Sequence, residues 1–116
     1  MAASKKDQVW VASKDAEIES VPNVPGVSKQ MLAYADSCMC VHNYFEKGAV
    51  GPLHSHPHTQ ITFIVEGSFE FTVGDEKRVV TKGDTILKQD GVVHGCVCLE
   101  SGSLIDFFTP MREDFV

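Results

Sequence analysis

The sequence has no apolar run long enough to cross a bilayer and no excess of basic residues. Its formal net charge of −6 argues against nucleic acid or an anionic membrane as the main partner. The basic residues near its start are not followed by an apolar stretch, so no secretory signal is predicted. An amphipathic helix, an internal repeat and a low-complexity tract are also missing. At 116 residues, we expect one cytoplasmic domain with a single core.

Cysteine is sparse, and the four cysteines form two Cys-x-Cys pairs, Cys38/Cys40 and Cys96/Cys98. Zinc modules usually contain Cys-x-x-Cys, which brings both sulfurs onto one ion. We therefore favour reduced, small, buried residues over a zinc site built from all four thiolates. A disulfide framework is not expected in a chain of this size that is not exported.

Short strand-like runs separated by turn residues fill most of the sequence, and this pattern predicts an all-β sandwich or barrel. Residues 1–27 form a mixed polar segment, and residues 28–116 form the predicted barrel domain. Glycine-containing breaks between the runs include Gly67, Asp90-Gly91 and Ser101-Gly102. The predicted strands are 28–35, 38–46, 58–65, 67–73, 77–81, 84–88, 92–99 and 103–109.

Three of the five histidines lie in the run His54-Ser-His56-Pro-His58-Thr-Gln60. On an extended strand, alternate side chains point to the same face, so this segment would direct several imidazoles and one amide oxygen to one point. Neutral imidazole is the commonest metal ligand in proteins. The run therefore predicts a metal site on a β-scaffold.

A further histidine, His94, lies in the run Gly83-Asp84-Thr-Ile-Leu-Lys-Gln89-Asp90-Gly91-Val-Val-His94. The spacing Gly-x5-His-x-His-x3-(Glu/Gln), followed later by Gly-Asp-x4-Pro-x-Gly-x2-His, resembles the paired signature of the cupin family. Gln89 stands where that signature has proline, so this turn is expected to be looser. The matching residues are Gly48, His54, His56, Gln60 and Gly67 in the first half, and Gly83, Asp84, Gly91 and His94 in the second.

The resemblance implies a single-domain cupin, a double-stranded β-helix or jelly-roll barrel. It also implies one divalent metal ion inside the barrel, either Ni, Mn, Fe, Co or Zn. The implied ligands are His54, His56, Gln60 and His94. His58 lies outside the ligand pattern, and we favour a polar rim residue at that position. Three imidazoles and a neutral amide leave the metal charge uncompensated, so the site should accept an anionic ligand such as a carboxylate.

The alternation along strands extends these expectations to the barrel interior. If His94 points inward, Cys96 and Cys98 do so too, and if Gln60 points inward, so do Thr62 and Ile64. Cys96 is then either a metal ligand or, as we favour, a wall residue. The orientation of His42 and Tyr44 is left open, since either could line the pocket or simply pack.

The ending Pro110-Met-Arg112-Glu-Asp-Phe115 resembles the small pectin-degradation cupins called KdgF type, as do Gly26-Val27-Ser28 and the histidine run. Thr59 departs from the Glu often found there. The resemblance implies that Asp106, Phe108 and Arg112 are catalytic, with Arg112, Phe108 and Gln60 binding substrate. The alternative is a terminal strand on which Arg112 only pairs with Glu113 or another neighbour.

The implied reaction opens the ring of a 4,5-unsaturated uronate from pectin or alginate breakdown and gives the linear 5-keto-4-deoxyuronate. Asp106 would transfer the proton, and Arg112 or Gln60 would help to hold the substrate carboxylate. Two alternatives remain open: a cupin dioxygenase using Fe(II), and a non-catalytic cupin that binds a sugar or metal. A homodimer is expected, in which Val9, Trp10 and Val11 could add an edge strand.

Overall fold

Two long strands, β5 (Thr59–Val73) and β8 (His94–Thr109), pair antiparallel along most of their length. The structure is a computed structural model and describes residues 5–89 and 91–116. Residues 1–4 of the predicted N-terminal segment and Asp90 of the predicted Asp90-Gly91 turn lie outside the described residues. The remaining strands are β1 (Ile18–Ser20), β2 (Val27–Ala35), β3 (Cys38–Phe45), β4 (Val50–His54), β6 (Glu76–Thr81) and β7 (Thr85–Lys88).

Each long strand has different outer partners in its two halves, and this divides the barrel into two sheets. The first sheet has the order β1-β2-β3-β8-β5-β7, using the later half of β8 and the earlier half of β5. The second sheet has the order β4-β8-β5-β6, using the opposite halves. All neighbours are antiparallel. The predicted all-β jelly-roll barrel is confirmed.

The bend between the sheets falls at Gly67 and Gly102, where the sequence predicted breaks between separate strands. The strands continue through both positions, with register shifts between Ile64 and Phe69. A Cβ atom on Gly67 would lie 2.5 Å from the Glu100 carbonyl oxygen, and one on Gly102 would clash with the Glu66 carbonyl. Glycine is therefore needed because the two backbones approach each other closely. The shift also changes which alternate residues of β5 face inward.

Two strands were not predicted from the sequence. Strand β4 contains Gly51 and Pro52, which weaken a strand pattern, but it pairs only with β8 and so tolerates proline at an edge. Strand β1 lies within the predicted N-terminal segment and pairs with β2 of the same chain. The Gln30 side-chain amide donates to the carbonyls of Ser13 and Ala16 at 2.8 and 3.1 Å, which holds this segment against the barrel.

The core occupies the barrel interior and extends beneath the cavity described below. Thr62, Ile64, Cys96 and Cys98 are all buried, as the alternation predicted. The four cysteines are free thiols. The only helices among residues 5–89 and 91–116 are the 3-10 turns Ser13–Asp15 and Glu113–Phe115, and no helix in this part of the chain is long and apolar enough to span a membrane.

Candidate metal centre and active site

Three histidines converge at one end of the barrel, where the two sheets meet. His54 ends β4, His94 begins β8 opposite it, and His56 lies in the connection between β4 and β5. One ligand nitrogen from each ring lies within 4.8 Å of the others. The Gly91 N–H donates to the His56 carbonyl oxygen at 3.0 Å, so this bond ties together the two halves of the sequence motif.

The prediction that these residues share one face of an extended strand was wrong. The chain leaves β4 after His54, and β5 begins only at Thr59. Strand β4 belongs to the second sheet, whereas the start of β5 belongs to the first, so residues 55–58 cross between sheets. Pro57 lies in this crossing, where its missing N–H costs no ladder hydrogen bond. His54, His56 and Gln60 approach one another because of this crossing.

Backbone carbonyls orient two of the histidine rings. The Nδ1 atoms of His54 and His94 lie 2.8 and 3.0 Å from the carbonyl oxygens of Pro52 and Val92. A carbonyl oxygen only accepts, so each Nδ1 carries the proton and each Nε2 keeps its lone pair. Nε2 of His94 is buried and has no hydrogen-bond partner. Burial, followed by the nearby Lys88 charge, lowers the pKa of His94 to about 4, which favours the neutral ligand form.

Gln60 links the histidine cluster to Asp106. Its Oε1 lies 2.9 Å from Nε2 of His56, and its Nε2 donates to Oδ1 of Asp106 at 2.7 Å. Burial and the Arg112 charge lower the pKa of His56, so its ring is also held neutral. The amide presents an oxygen ligand beside the imidazoles, and these four side chains therefore fit a divalent metal ion.

Asp106 is buried and is held by three neutral donors. Oδ1 accepts from Gln60 Nε2 and from the Thr62 hydroxyl, and Oδ2 accepts from Asn43 Nδ2 at 2.8 Å. These bonds fix the carboxylate without neutralising it with a cation, since no ion pair to Asp106 occurs in the described chain. The carboxylate is thus held in one orientation beside the histidine cluster.

The sequence interpretation missed Asn43, although a signal was present. Met39, Val41 and Phe45 alternate along β3, and this apolar alternation places Asn43 on the same inward face. His42 and Tyr44 therefore face away from the cavity. The Tyr44 hydroxyl lies 3.0 Å from Gln30 Oε1 and 3.1 Å from His42 Nδ1.

His58 lies outside the histidine group that could hold a metal. Its Nε2 lies 3.1 Å from the carbonyl oxygen of Met111, which accepts the proton. His58 thus fastens the C-terminal segment to the start of β5.

The C-terminal segment covers the mouth of the site. The Phe108 ring is 2% exposed, and the Arg112 guanidinium lies 5.3 Å from its centroid and 4.5 Å from that of Phe115. Arg112 also makes a two-bond ion pair with Asp114, at 2.9 and 2.7 Å. The neighbour pairing considered from the sequence is therefore present, but the partner is Asp114, and the same arginine also lines the cavity.

A cavity of about 260 Å³ joins these groups. Its lining includes three cations, Lys29, Lys88 and Arg112, and among the described residues Asp106 is the only carboxylate that lines it. The charge balance inside is thus opposite to that of the whole chain, which carries −6. A cation-lined recess with low-dielectric walls concentrates anions. The sequence interpretation missed Lys88 because it becomes a cavity residue only through its pairing with Gln60.

Cys96 lies in the cavity wall, and burial raises the pKa of its thiol to about 12. A thiol that stays protonated is a poor metal ligand, which supports the wall position. In the part of the chain that the structure describes, the histidines form the only metal-sized group, and no cysteine belongs to it.

A two-sheet barrel with inward histidines from both halves of a paired motif defines a cupin. The cupin domain family model matches residues 42–107. The pectin degradation protein KdgF of Dickeya dadantii is 41% identical over 93 residues, covering 78% of this chain and 84% of that protein. The chain belongs to the cupin family and, within it, to the group of KdgF proteins.

Two solved structures are similar over nearly the whole chain. An RmlC-like cupin from Shewanella frigidimarina has a TM-score of 0.91 and 38% identity, covering 97% of this chain and all of that one. KdgF from Halomonas sp. has a TM-score of 0.86 and 35% identity, covering 92% and 97%.

Proposed function

We propose that this protein opens the ring of 4,5-unsaturated uronate monosaccharides from pectin or alginate breakdown and forms the linear 5-keto-4-deoxyuronate. The observation that carries the proposal is Asp106, a buried carboxylate held only by neutral donors, beside a histidine cluster in a cation-lined cavity. The names of the Dickeya and Halomonas relatives support the same class of substrate. The substrate is a small anionic sugar, which the cavity charges favour.

His54, His56, Gln60 and His94 would hold one divalent metal ion, which is Ni, Mn, Fe, Co or Zn. When bound, such an ion supplies Lewis-acid stabilisation of negative charge that develops on substrate oxygens.

Asp106 is the proton-transfer group in this proposal. Its carboxylate takes the proton of the anomeric hydroxyl, the bond between C1 and the ring oxygen breaks, and C1 becomes an aldehyde. The electron pair moves to the former ring oxygen, which is then an enolate conjugated with the C4–C5 double bond. Asp106 returns the proton to C4, and C5 becomes the ketone. No atom is gained or lost, so the reaction needs no co-reactant.

Phe108 and Arg112 bind the substrate at the mouth of the cavity in this proposal. The buried Phe108 ring offers an apolar surface against which a sugar ring packs and from which water is excluded. The planar guanidinium of Arg112 matches the two oxygens of a carboxylate, and Gln60 assists from the opposite wall.

The test follows the loss of ultraviolet absorbance of the conjugated double bond in unsaturated galacturonate, with NMR identification of the product. We expect Asp106→Asn to lower kcat by about 100-fold or more, since general acid–base groups contribute on that scale. Asp75→Asn, at an exposed turn, is the matched control. Turnover by Asp106→Asn at the parent rate contradicts the assignment of Asp106. Oxygen consumption would point to an Fe(II) dioxygenase, and saturable binding without product would point to a binding protein.

We further propose a cytoplasmic homodimer. The four free thiols support a reducing compartment. Val9 and Trp10 are 82% and 87% exposed, and apolar side chains this exposed support a contact with a second copy. Light scattering coupled to size exclusion tests it, and a monomeric mass at micromolar concentration contradicts it.

A further inference from the structure

Lys88 is a buried cation in the cavity wall with no hydrogen bond or ion pair to the residues that the structure describes. The residue is 2% exposed, yet no hydrogen bond or ion pair joins its ammonium group to residues 5–89 or 91–116. Among these residues its Nζ atom makes a cation–π contact with the Phe71 ring, whose centroid lies 4.9 Å away. Lysine is almost never buried without a partner, because desolvating an ammonium group is costly.

The position of Lys88 places this charge between the two functional halves of the site. Lys88 ends β7 and pairs in register with Gln60, the residue that contacts both His56 and Asp106. Burial lowers the pKa of Lys88, and the nearby Asp106 charge raises it. The Lys88 charge, after burial, is the next cause that lowers the pKa of His94, so Lys88 lies close to both groups. An anion that reaches both the histidine cluster and Asp106 therefore comes within range of Lys88 as well.

The other two cations that line the cavity lie at the mouth beside the C-terminal segment, and one of them has an ion-pair partner. Arg112 is held by both oxygens of Asp114. The Lys29 ammonium lies 4.1 Å from the centroid of the Phe115 ring. Lys88 differs from both, because it is buried and has no hydrogen bond or ion pair among the described residues, so its donors can meet a ligand inside the cavity.

We propose that Lys88 binds the carboxylate of the anionic sugar inside the cavity and so determines the preference for acidic over neutral sugars. This inference rests on the proposed function, because it assumes that the ligand is a uronate. The ammonium provides up to three hydrogen-bond donors to carboxylate oxygens. The ligand thereby supplies the hydrogen-bond acceptors that the ammonium group lacks among the described residues, and Arg112 acts at the mouth as a second, more accessible contact.

The test compares binding of galacturonate and galactose to the metal-loaded protein by calorimetry. Neither sugar has the 4,5 double bond, so binding is measured apart from turnover. We expect Lys88→Met to weaken galacturonate binding by roughly 10- to 100-fold, the range for losing a hydrogen bond to a charged group. Galactose binding should not change. Lys82→Met removes the same charge from an exposed turn and is the matched control.

Thermal unfolding separates this role from a structural one. Lys88→Met exchanges an unpaired buried charge for an apolar side chain of similar length, so its midpoint should equal or exceed that of the parent. A lower midpoint together with unchanged preference for galacturonate would overturn the proposal. If the variant does not fold, NMR of the parent protein labelled with ¹⁵N-lysine provides the second test. The Lys88 ammonium signal should shift with galacturonate and not with galactose, and equal responses would contradict the inference.

The two proposals fail in distinguishable ways. If the parent protein binds galacturonate through Lys88 but leaves unsaturated galacturonate unchanged, the ring-opening function is wrong and the Lys88 site stands. If the parent opens the ring but Lys88→Met keeps the parent KM and the parent preference for acidic sugars, the Lys88 inference is wrong and the function stands.

Discussion

The Gln60 side-chain amide bridges His56 and Asp106, with its oxygen 2.9 Å from His56 Nε2 and its nitrogen 2.7 Å from Asp106 Oδ1. A side-chain amide presents an acceptor oxygen to one side and a donor nitrogen to the other, whereas a carboxylate has acceptors only. A carboxylate at this position would meet the Asp106 carboxylate with like charge. The glutamine therefore matches a site in which an aspartate lies beside it.

Gln60→Glu should lower kcat by about 100-fold, because the repulsion between the two carboxylates disturbs the group that transfers the proton. Metal content should be retained, since carboxylate oxygen also binds divalent ions. Steady-state kinetics and elemental analysis measure the two effects. Gln89→Glu makes the same change in an exposed turn and should behave like the parent. If Gln60→Glu has the kcat of the parent protein, an amide at position 60 is not required for proton transfer by Asp106.

His56→Ala and His58→Ala form a matched pair two residues apart. His56 belongs to the metal-sized histidine group, whereas His58 donates to the Met111 carbonyl. We expect His56→Ala to lose the bound metal ion after dialysis and His58→Ala to retain one ion per chain, measured by elemental analysis. His58→Ala should instead lower the free energy of unfolding by about 1 kcal/mol, the typical value of one hydrogen bond. Equal metal loss in both variants would mean that the ligand set is wrong.

Asp114→Asn should release Arg112 from its two-bond ion pair and improve galacturonate binding by about 3-fold, a modest change because exposed ion pairs are weak. The hydrogen bond from Arg112 lowers the pKa of Asp114, so its charge competes for the guanidinium at neutral pH. Calorimetry measures the affinity, and Glu113→Gln is the control for loss of an adjacent charge. Weaker binding in Asp114→Asn would instead assign Asp114 a positioning role for Arg112.

The metal-free protein should lose stability as the pH falls from about 6.5 toward 4. His94 has a pKa of about 4 in the folded protein, against an ordinary value of 6.5. Between these values the unfolded chain binds a proton that the folded chain does not, so acidification favours unfolding. His56 and His42 have pKa values shifted in the same direction by burial, so they add to the effect.

Thermal unfolding of chelator-treated protein at pH 7.5, 6 and 5 measures this loss, and His94→Gln should show a smaller decrease. Saturating divalent metal should raise the midpoint at pH 7.5, since a ligand that binds only the folded state stabilises it. A midpoint that is independent of pH across this range would contradict the burial of a neutral His94.

The paired motif predicted the barrel and the convergence of His54, His56 and His94, but the assumed route to convergence was wrong. The alternation of His54, His56 and Gln60 was interpreted as one face of extended chain, because alternate side chains of a strand share a face. In the fold, residues 55–58 change sheets, and such a crossing has no simple period in the sequence. Strand β4 was missed for a related reason, since Pro52 is compatible with a strand only at an edge.

Site residues that lie outside the paired histidine motif, and that reach the site through strand pairing, were harder to predict than the residues of the motif itself. Asn43 could have been found from the apolar alternation of β3. Lys88 could not, because its environment depends on its register with Gln60 across two strands. Local pattern identifies the face of a strand, whereas only the three-dimensional pairing shows which residue stands opposite.

Strand β8 carries His94 at its start and Asp106 further along, and both side chains are buried an even number of residues apart. An insertion or deletion of one residue between them would turn one of the two outward, because side chains alternate along a strand. The exposed turn at Lys82 and Gly83 has no such restriction. Changes in chain length that preserve the site should therefore fall in turns, and any within β8 should come in pairs.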